Sequence, residues 1–184
     1  MRLKQPRVKA LAPEEWSEEA GKMMEPFIAL GADYNIFRTL ANHPALSQSW
    51  FAFGNHILGK SSLADRDREL VILRIGYLCQ AGYEWGQHVG IARKIGLTDD
   101  EIRSCKTGPD TPGLSEVDRL LLQATDELHA DAFISDPTWQ GLAEHYSTQQ
   151  LMDLLFTVGQ YNMVSMVLNS LGVQLDEGLP GWDI

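Results

Sequence analysis

The sequence predicts an all-α protein, and three observations support that expectation. Apolar residues recur at helical spacing through most of the chain, and no segment shows the two-residue alternation of a strand. Pairs of the helix-start type stand at Ser62/Asp65, Thr98/Glu101 and Ser115/Asp118. Glycines at 31, 82, 96 and 172 fall where apolar patterns stop.

Taken in order, residues 1–13, with Pro6 and Pro13, read as an N-terminal arm. Two helices follow, Glu14 to about Leu30 and about Asn35 to Leu58, parted by the Gly31 region. The segment DRELVILRIGYLCQ is apolar on nearly every face except at Glu69 and Arg74, so 63–80 reads as a buried helix opened by Ser62 and Asp65. Gly82 interrupts it, and a second helix over 83–95 ends at Gly96. The two should form an antiparallel hairpin. Thr98 caps a short helix to about Lys106, and TGPDTPG (107–113) is a loop. Ser115 starts a helix to about Ala130, and Asp136-Pro137 starts another to about Tyr146. The last helix, Thr148 to Leu171, is apolar on nearly every face. Asp153, Gln160, Asn162 and Asn169 interrupt that run, so it reads as a core helix packed on the hairpin rather than a membrane span. A chain of 184 residues with this pattern is expected to be a single domain, 1–184.

Composition narrows the function. A formal net charge of −10 with scattered basic residues gives no footprint for nucleic acid or an anionic membrane, which leaves small molecules and protein partners. The basic residues of MRLKQPRVK are followed by no apolar run, so no secretory signal is expected and a cytoplasmic location is. Cys79 and Cys105 form neither a CxxC nor a metal-ligand spacing, so reduced, structural thiols and no metal or other cofactor are expected.

The chemistry concentrates in AGYEWGQH. On a helix, Glu84 and His88 lie one turn apart on one face, where a carboxylate and an imidazole can pair. A carboxylate partner raises an imidazole pKa and fixes which ring nitrogen is presented. If the chain folds back at Gly82, Glu69 can face His88 from the preceding helix. Bland alternatives stand beside this: Glu84/His88 as a surface pair, and Glu69 paired with Arg66 or Arg74. His43, His129 and His145 read as structural groups near helix ends, whereas His56, among Phe51, Phe53 and Leu58, is a candidate for lining a pocket. Gln160, Tyr161 and Asn162 are either satisfied core groups or the far wall of the same cavity.

The stretch ELVILRIGYLCQAGYEWGQHVGIARKIGLTDDEI resembles the core of the carboxymuconolactone decarboxylase family, whose superfamily includes the AhpD-type alkylhydroperoxidases. The resemblance covers roughly 36–172, from FRTLANHPAL through the YEWxxH motif to the long final helix. It implies an AhpD-like helical bundle that assembles as a dimer, trimer or hexamer. The peroxidase branch pairs Glu and His with a CxxC whose cysteines would fall at Ala81 and Glu84 here, so its dithiol is missing. The decarboxylase branch retains a Glu and a His four apart, as Glu84 and His88 are. It implies a cofactor-free enzyme that decarboxylates or isomerises a small carboxylated lactone. His88 would then be the proton donor, with Glu84 orienting it and Glu69 as a second acid/base group. Tyr83, Trp85, Arg74 and His56 are the expected substrate contacts, Arg74 or Arg66 holding a carboxylate. An AhpD-like peroxidase and a ligand-binding oligomer without catalysis are the alternatives.

Overall fold

The computed structural model describes residues 1–184 as nine α-helices and a short 3-10 turn at Pro13–Glu15, without a strand. The helices are α1 (Glu18–Ala29), α2 (Asn35–Leu40), α3 (Pro44–Gly59), α4 (Asp65–Leu78), α5 (Gly82–Lys94), α6 (Asp99–Thr107), α7 (Glu116–Asp131), α8 (Asp136–Ala143) and α9 (Thr148–Leu171).

Helix α4 is the axis of the fold. Every residue from Arg68 to Gly76 is buried, and α5, α6, α7 and α9 all pack against it. Leu70, Val71, Ile72, Leu73 and Ile75 join Trp85, Ile102, Leu121 and Leu154 in one apolar cluster. Each such side chain contributes roughly 1.5–3 kcal/mol on burial. Because the burial surrounds α4 on every side, the helix shows almost no polar stripe, which matches its near-continuous apolar sequence.

Helices α4 and α5 form the expected antiparallel hairpin. Glu69 meets His88, while a Cβ added at Gly76 would lie 3.6 Å from Glu84 Cγ, so numbering rises on one helix as it falls on the other. The turn differs from expectation. It is made at Gln80, whose φ of 53° is left-handed, and Gly82 is the first residue of α5. Gly82 is needed for another reason: a Cβ there would stand 3.1 Å from Trp182 Nε1 and 3.2 Å from the Met1 nitrogen, because both chain ends close over it.

Other boundaries differ too. The helix expected over 35–58 is two, broken before Pro44, whose ring pushes His43 out of the helical region (φ −143°, ψ 72°). Ser62 does not cap α4. Its N–H and Oγ–H both donate to Asp153 Oδ2, at 2.6 and 2.7 Å, pinning the α3–α4 loop to α9. Ser135, not Asp136, is the N-cap of α8. Thr98 with Glu101 and Ser115 with Asp118 cap as the sequence predicts.

Helix α9 is long and apolar enough to cross a membrane by composition, yet half of its most apolar window is buried in the protein. Leu151, Leu154, Val158, Tyr161, Val164 and Leu168 face inward. Asn162 accepts from the Cys79 thiol at 3.1 Å, and Asn169 donates to the Cys79 carbonyl at 2.9 Å, so these polar interruptions hold the α4–α5 turn. Gln160 has no such role.

Candidate active site

Helix α5 sorts its residues by direction. Tyr83, Glu84, Gln87 and His88 turn toward α3 and α9, whereas Trp85, one residue from Glu84 and therefore about 100° around the helix, turns into the core. Glu69 reaches the same point from α4. Its Oε2 lies 2.7 Å from His88 Nδ1, and Glu84 Oε1 lies 2.8 Å from His88 Nε2. All three side chains are withdrawn from solvent, at 0%, 4% and 5% exposure for Glu69, Glu84 and His88.

Glu69 hydrogen-bonds Nδ1 from α4, and Glu84 pairs with Nε2 from one turn earlier on α5, so each ring nitrogen faces its own carboxylate. Of the two carboxylates only Glu84 shares the cavity wall with His88, so Nε2 is the ring nitrogen on the cavity side. Burial pulls the His88 pKa down, but the charges of Glu69 and Glu84 more than offset it and leave it raised to about 10. The two carboxylates thus favour the imidazolium form of His88. Tyr161 presents itself edge-on to the ring, with centroids 4.9 Å apart. Behind Glu69, Arg68 Nε stands 3.8 Å from Oε1, and Arg68 is itself bonded to Asp65 at 2.7 Å. Neither Arg68 Nε nor Glu69 Oε1 has a hydrogen-bond partner.

Glu84 and His88 form part of the wall of a half-enclosed cavity of about 330 Å³ between α1–α2, α3, α5 and α9. That volume suits a small organic molecule. Tyr83 also lines it, with its hydroxyl donating to Asp176 at 2.5 Å and accepting from the Ile36 N–H at 3.2 Å. Burial, and then Asp176, push the Tyr83 pKa well above its usual value, so it stays neutral. Gln87 donates to the same Asp176 at 2.9 Å. Glu69 does not line the cavity; it supports His88 from behind.

Three residues expected to touch a substrate lie elsewhere. Trp85 is fully buried against Tyr77 and Trp182, on the far face of α5. Arg74 is buried in a two-pronged pair with Asp126, at 2.6 and 2.8 Å, and donates to the carbonyls of Cys105 and Lys106. His56 is half-exposed and pairs with Asp153 at 3.2 Å. Arg66, the other arginine considered for a carboxylate, is bonded to Asp118 and Glu101. Conversely, Gln160 and Tyr161 do stand at the cavity, with Trp50 and Gly54 of α3, which sequence reasoning passed over. Their signal was the four-residue spacing that puts Trp50 and Gly54 on one face.

The fold and site can now be set beside known proteins. Residues 44–127 match the model of the carboxymuconolactone decarboxylase family, a segment that holds α3 to most of α7 and all of Glu69, Glu84 and His88. The chain is thus similar to the carboxymuconolactone decarboxylase family over its central segment, which holds the α4–α5 hairpin. Its fold is similar to that of an uncharacterised peroxidase-related protein from Silicibacter sp. TM1040 (TM-score 0.81, 18% identity, 97% of each chain covered). It is also similar to an alkylhydroperoxidase AhpD core protein from Ralstonia eutropha JMP134 (TM-score 0.80, 16% identity, 94% of this chain and 93% of that one). The debrominase Bmp8, in complex with 2,3,4-tribromopyrrole, superposes with a TM-score of 0.76 at 13% identity, over 95% of this chain and 94% of its own. No curated protein matches the chain significantly.

The thiols here do not form the dithiol of the peroxidase branch. At the expected dithiol positions stand Ala81, before α5, and Glu84, in the ion pair. Cys79 is half-buried and Cys105 buried, and neither lines the cavity. Burial pushes the Cys79 thiol up and the Cys105 thiol up to about 12, which keeps both protonated and weakly nucleophilic.

Proposed function

We propose that the chain is an acid/base enzyme that moves a proton on a small molecule held in the α3–α5–α9 cavity, without thiol chemistry. The observation that supports this is His88, charged, clamped by Glu69 and facing the cavity beside Glu84. Glu69 fixes the ring and holds its charge. His88 gives its Nε2 proton to a carbon or an enolate oxygen, and Glu84, 2.8 Å away, is placed to take a proton from substrate and to return one to His88. The same pair serves a decarboxylation, in which His88 protonates the carbanion left by CO₂, and an isomerisation, in which Glu84 removes the first proton. The family name favours the former as a starting hypothesis.

The test is turnover of small unsaturated lactones, with deuterium incorporation from D₂O followed by NMR. His88→Gln should lower the rate by about 10²–10⁴ and leave the helical circular dichroism unchanged. Glu84→Gln should cost less in a decarboxylation, where the imidazolium held by Glu69 supplies the proton, and about as much in an isomerisation, which needs the base. Unchanged rates in both variants would remove the proposal.

We also propose a homo-oligomer. Met152, Phe156, Met163 and Met166 expose an apolar stripe along α9, and Phe53 packs beside Phe156 from α3 with ring centroids 5.9 Å apart. Exposed apolar surface of this kind is normally covered by a partner.

A further inference from the structure

We infer that the cavity selects an uncharged, ring-sized carbonyl compound rather than a carboxylate. The inference rests on the acid/base reading for the reaction but stands on separate observations about binding.

No lysine or arginine lines the cavity. The arginines of α4 are committed elsewhere: Arg66 to Asp118 and Glu101, Arg68 to Asp65 beside Glu69, and Arg74 to Asp126. The charged groups at the wall are Glu84 and His88, with Glu69 directly behind. Arg68 stands behind Glu69 and outside the cavity, so the carboxylate that shares the wall with His88 is Glu84. A carboxylate brought into this space would lose its water, meet the Glu84 carboxylate and find no cation free to pair with it. At longer range, the net charge of −10 repels anions as well.

The wall also holds two buried polar atoms with no partner. Gln160 Oε1 on α9 and Trp50 Nε1 on α3 make no hydrogen bond, and Gln160 is only 4% exposed. Both residues line the cavity. A buried donor and a buried acceptor left open are costly unless something satisfies them; neither atom is open to the cavity as it stands, so the ligand meets them as the two side chains turn inward. The indole N–H suits a carbonyl oxygen, and the Gln160 amide, able to turn either end inward, suits a carbonyl or an N–H or O–H edge. Around them the surface is apolar and aromatic, with Phe27, Phe37, Phe51, Ile91 and Val164. This is a site for a neutral ring with one polar edge.

Such a substrate has no CO₂ to lose, so the chemistry becomes a proton shift. Glu84 takes a proton from the carbon between the carbonyl and the ring double bond, and the electron pair moves into that carbonyl as a dienolate. His88 then gives its Nε2 proton to the far carbon as the pair returns, and the proton on Glu84 passes to His88. One proton leaves the substrate and one enters it, with no oxidant or reductant.

Isothermal titration at pH 7.5 tests this with α-angelica lactone, a neutral unsaturated lactone, against the same lactone ring carrying a carboxymethyl group. The neutral lactone should bind at least tenfold more tightly. Gln160→Met, which keeps the bulk and removes the polar atoms, and Trp50→Phe, which keeps an aromatic ring and removes the N–H, should each weaken it about fivefold or more. Tighter binding of the carboxymethyl lactone, or no binding of the neutral one, overturns the inference. So does unchanged affinity in both variants when circular dichroism shows them folded. Binding with the expected preference but no deuterium incorporation supports the substrate class and contradicts the acid/base reading. Incorporation without that preference does the reverse.

Discussion

Glu69 Oε2 and His88 Nδ1 lie 2.7 Å apart at the centre of the α4–α5 hairpin, where neither side chain is more than 6% exposed. The pair joins stability to pH. The folded-state pKa of His88 is raised from 6.5 to about 10, so protonation of His88 favours the folded state. That contribution is complete below about pH 6.5, declines as pH rises, and is gone above about 10. Urea unfolding from pH 6 to 10 should show the native protein losing stability relative to His88→Gln across this window. The buried thiol of Cys105 and the Tyr146 hydroxyl, both away from His88, cancel in that difference. Parallel curves for the two proteins would show that His88 is not charged by its neighbours.

The thiols give a second expectation. With Cys79 and Cys105 protonated, unpaired and away from the cavity, the double variant Cys79→Ser/Cys105→Ala should keep the native lactone activity within about twofold. Loss of a peroxide turnover that the parent possesses would favour the peroxidase alternative.

Gly54 sets the room available to a ligand. A Cβ there meets nothing closer than Gln160 Nε2 at 3.7 Å, so Gly54→Ala should be tolerated and stabilise α3 by about 0.5–1 kcal/mol. Gly54→Leu carries its branch toward Gln160 and the cavity, and should weaken lactone binding at least tenfold with little change in melting temperature. Full-strength binding to the leucine variant would place the ligand elsewhere.

The apolar stripe of α9 leads to a fourth expectation. Light scattering at micromolar concentration should report an assembly larger than one chain, and Phe156→Glu should shift it toward monomer. A monomeric parent would contradict the oligomer proposal.

The hairpin and the Glu69–Glu84–His88 cluster were legible because both rest on local rules. A four-residue spacing puts Glu84 with His88, and a turn near Gly82 brings Glu69 back alongside. What was not legible depends on distant partners. Arg74 looked free until Asp126, 52 residues on, took it, and Trp85 looked available until Trp182 of the tail packed against it. Ser62 read as a cap from its spacing to Asp65, but Asp153 of α9 offers both its donors a better acceptor. The far wall was half visible: Gln160 stood out as polar in an apolar helix, but nothing in the sequence tied Trp50 and Gly54 to it.

The central claim is that a charged imidazole, held by two carboxylates, stands at the cavity wall with its Nε2 proton ready to give. The most direct measurement is a nitrogen-15 NMR titration of His88, assigned by comparison with His88→Gln. Both ring nitrogens should show imidazolium shifts at pH 7.5, with the transition near pH 10. A neutral ring at pH 7.5, titrating near 6.5 like a free histidine, would contradict the account.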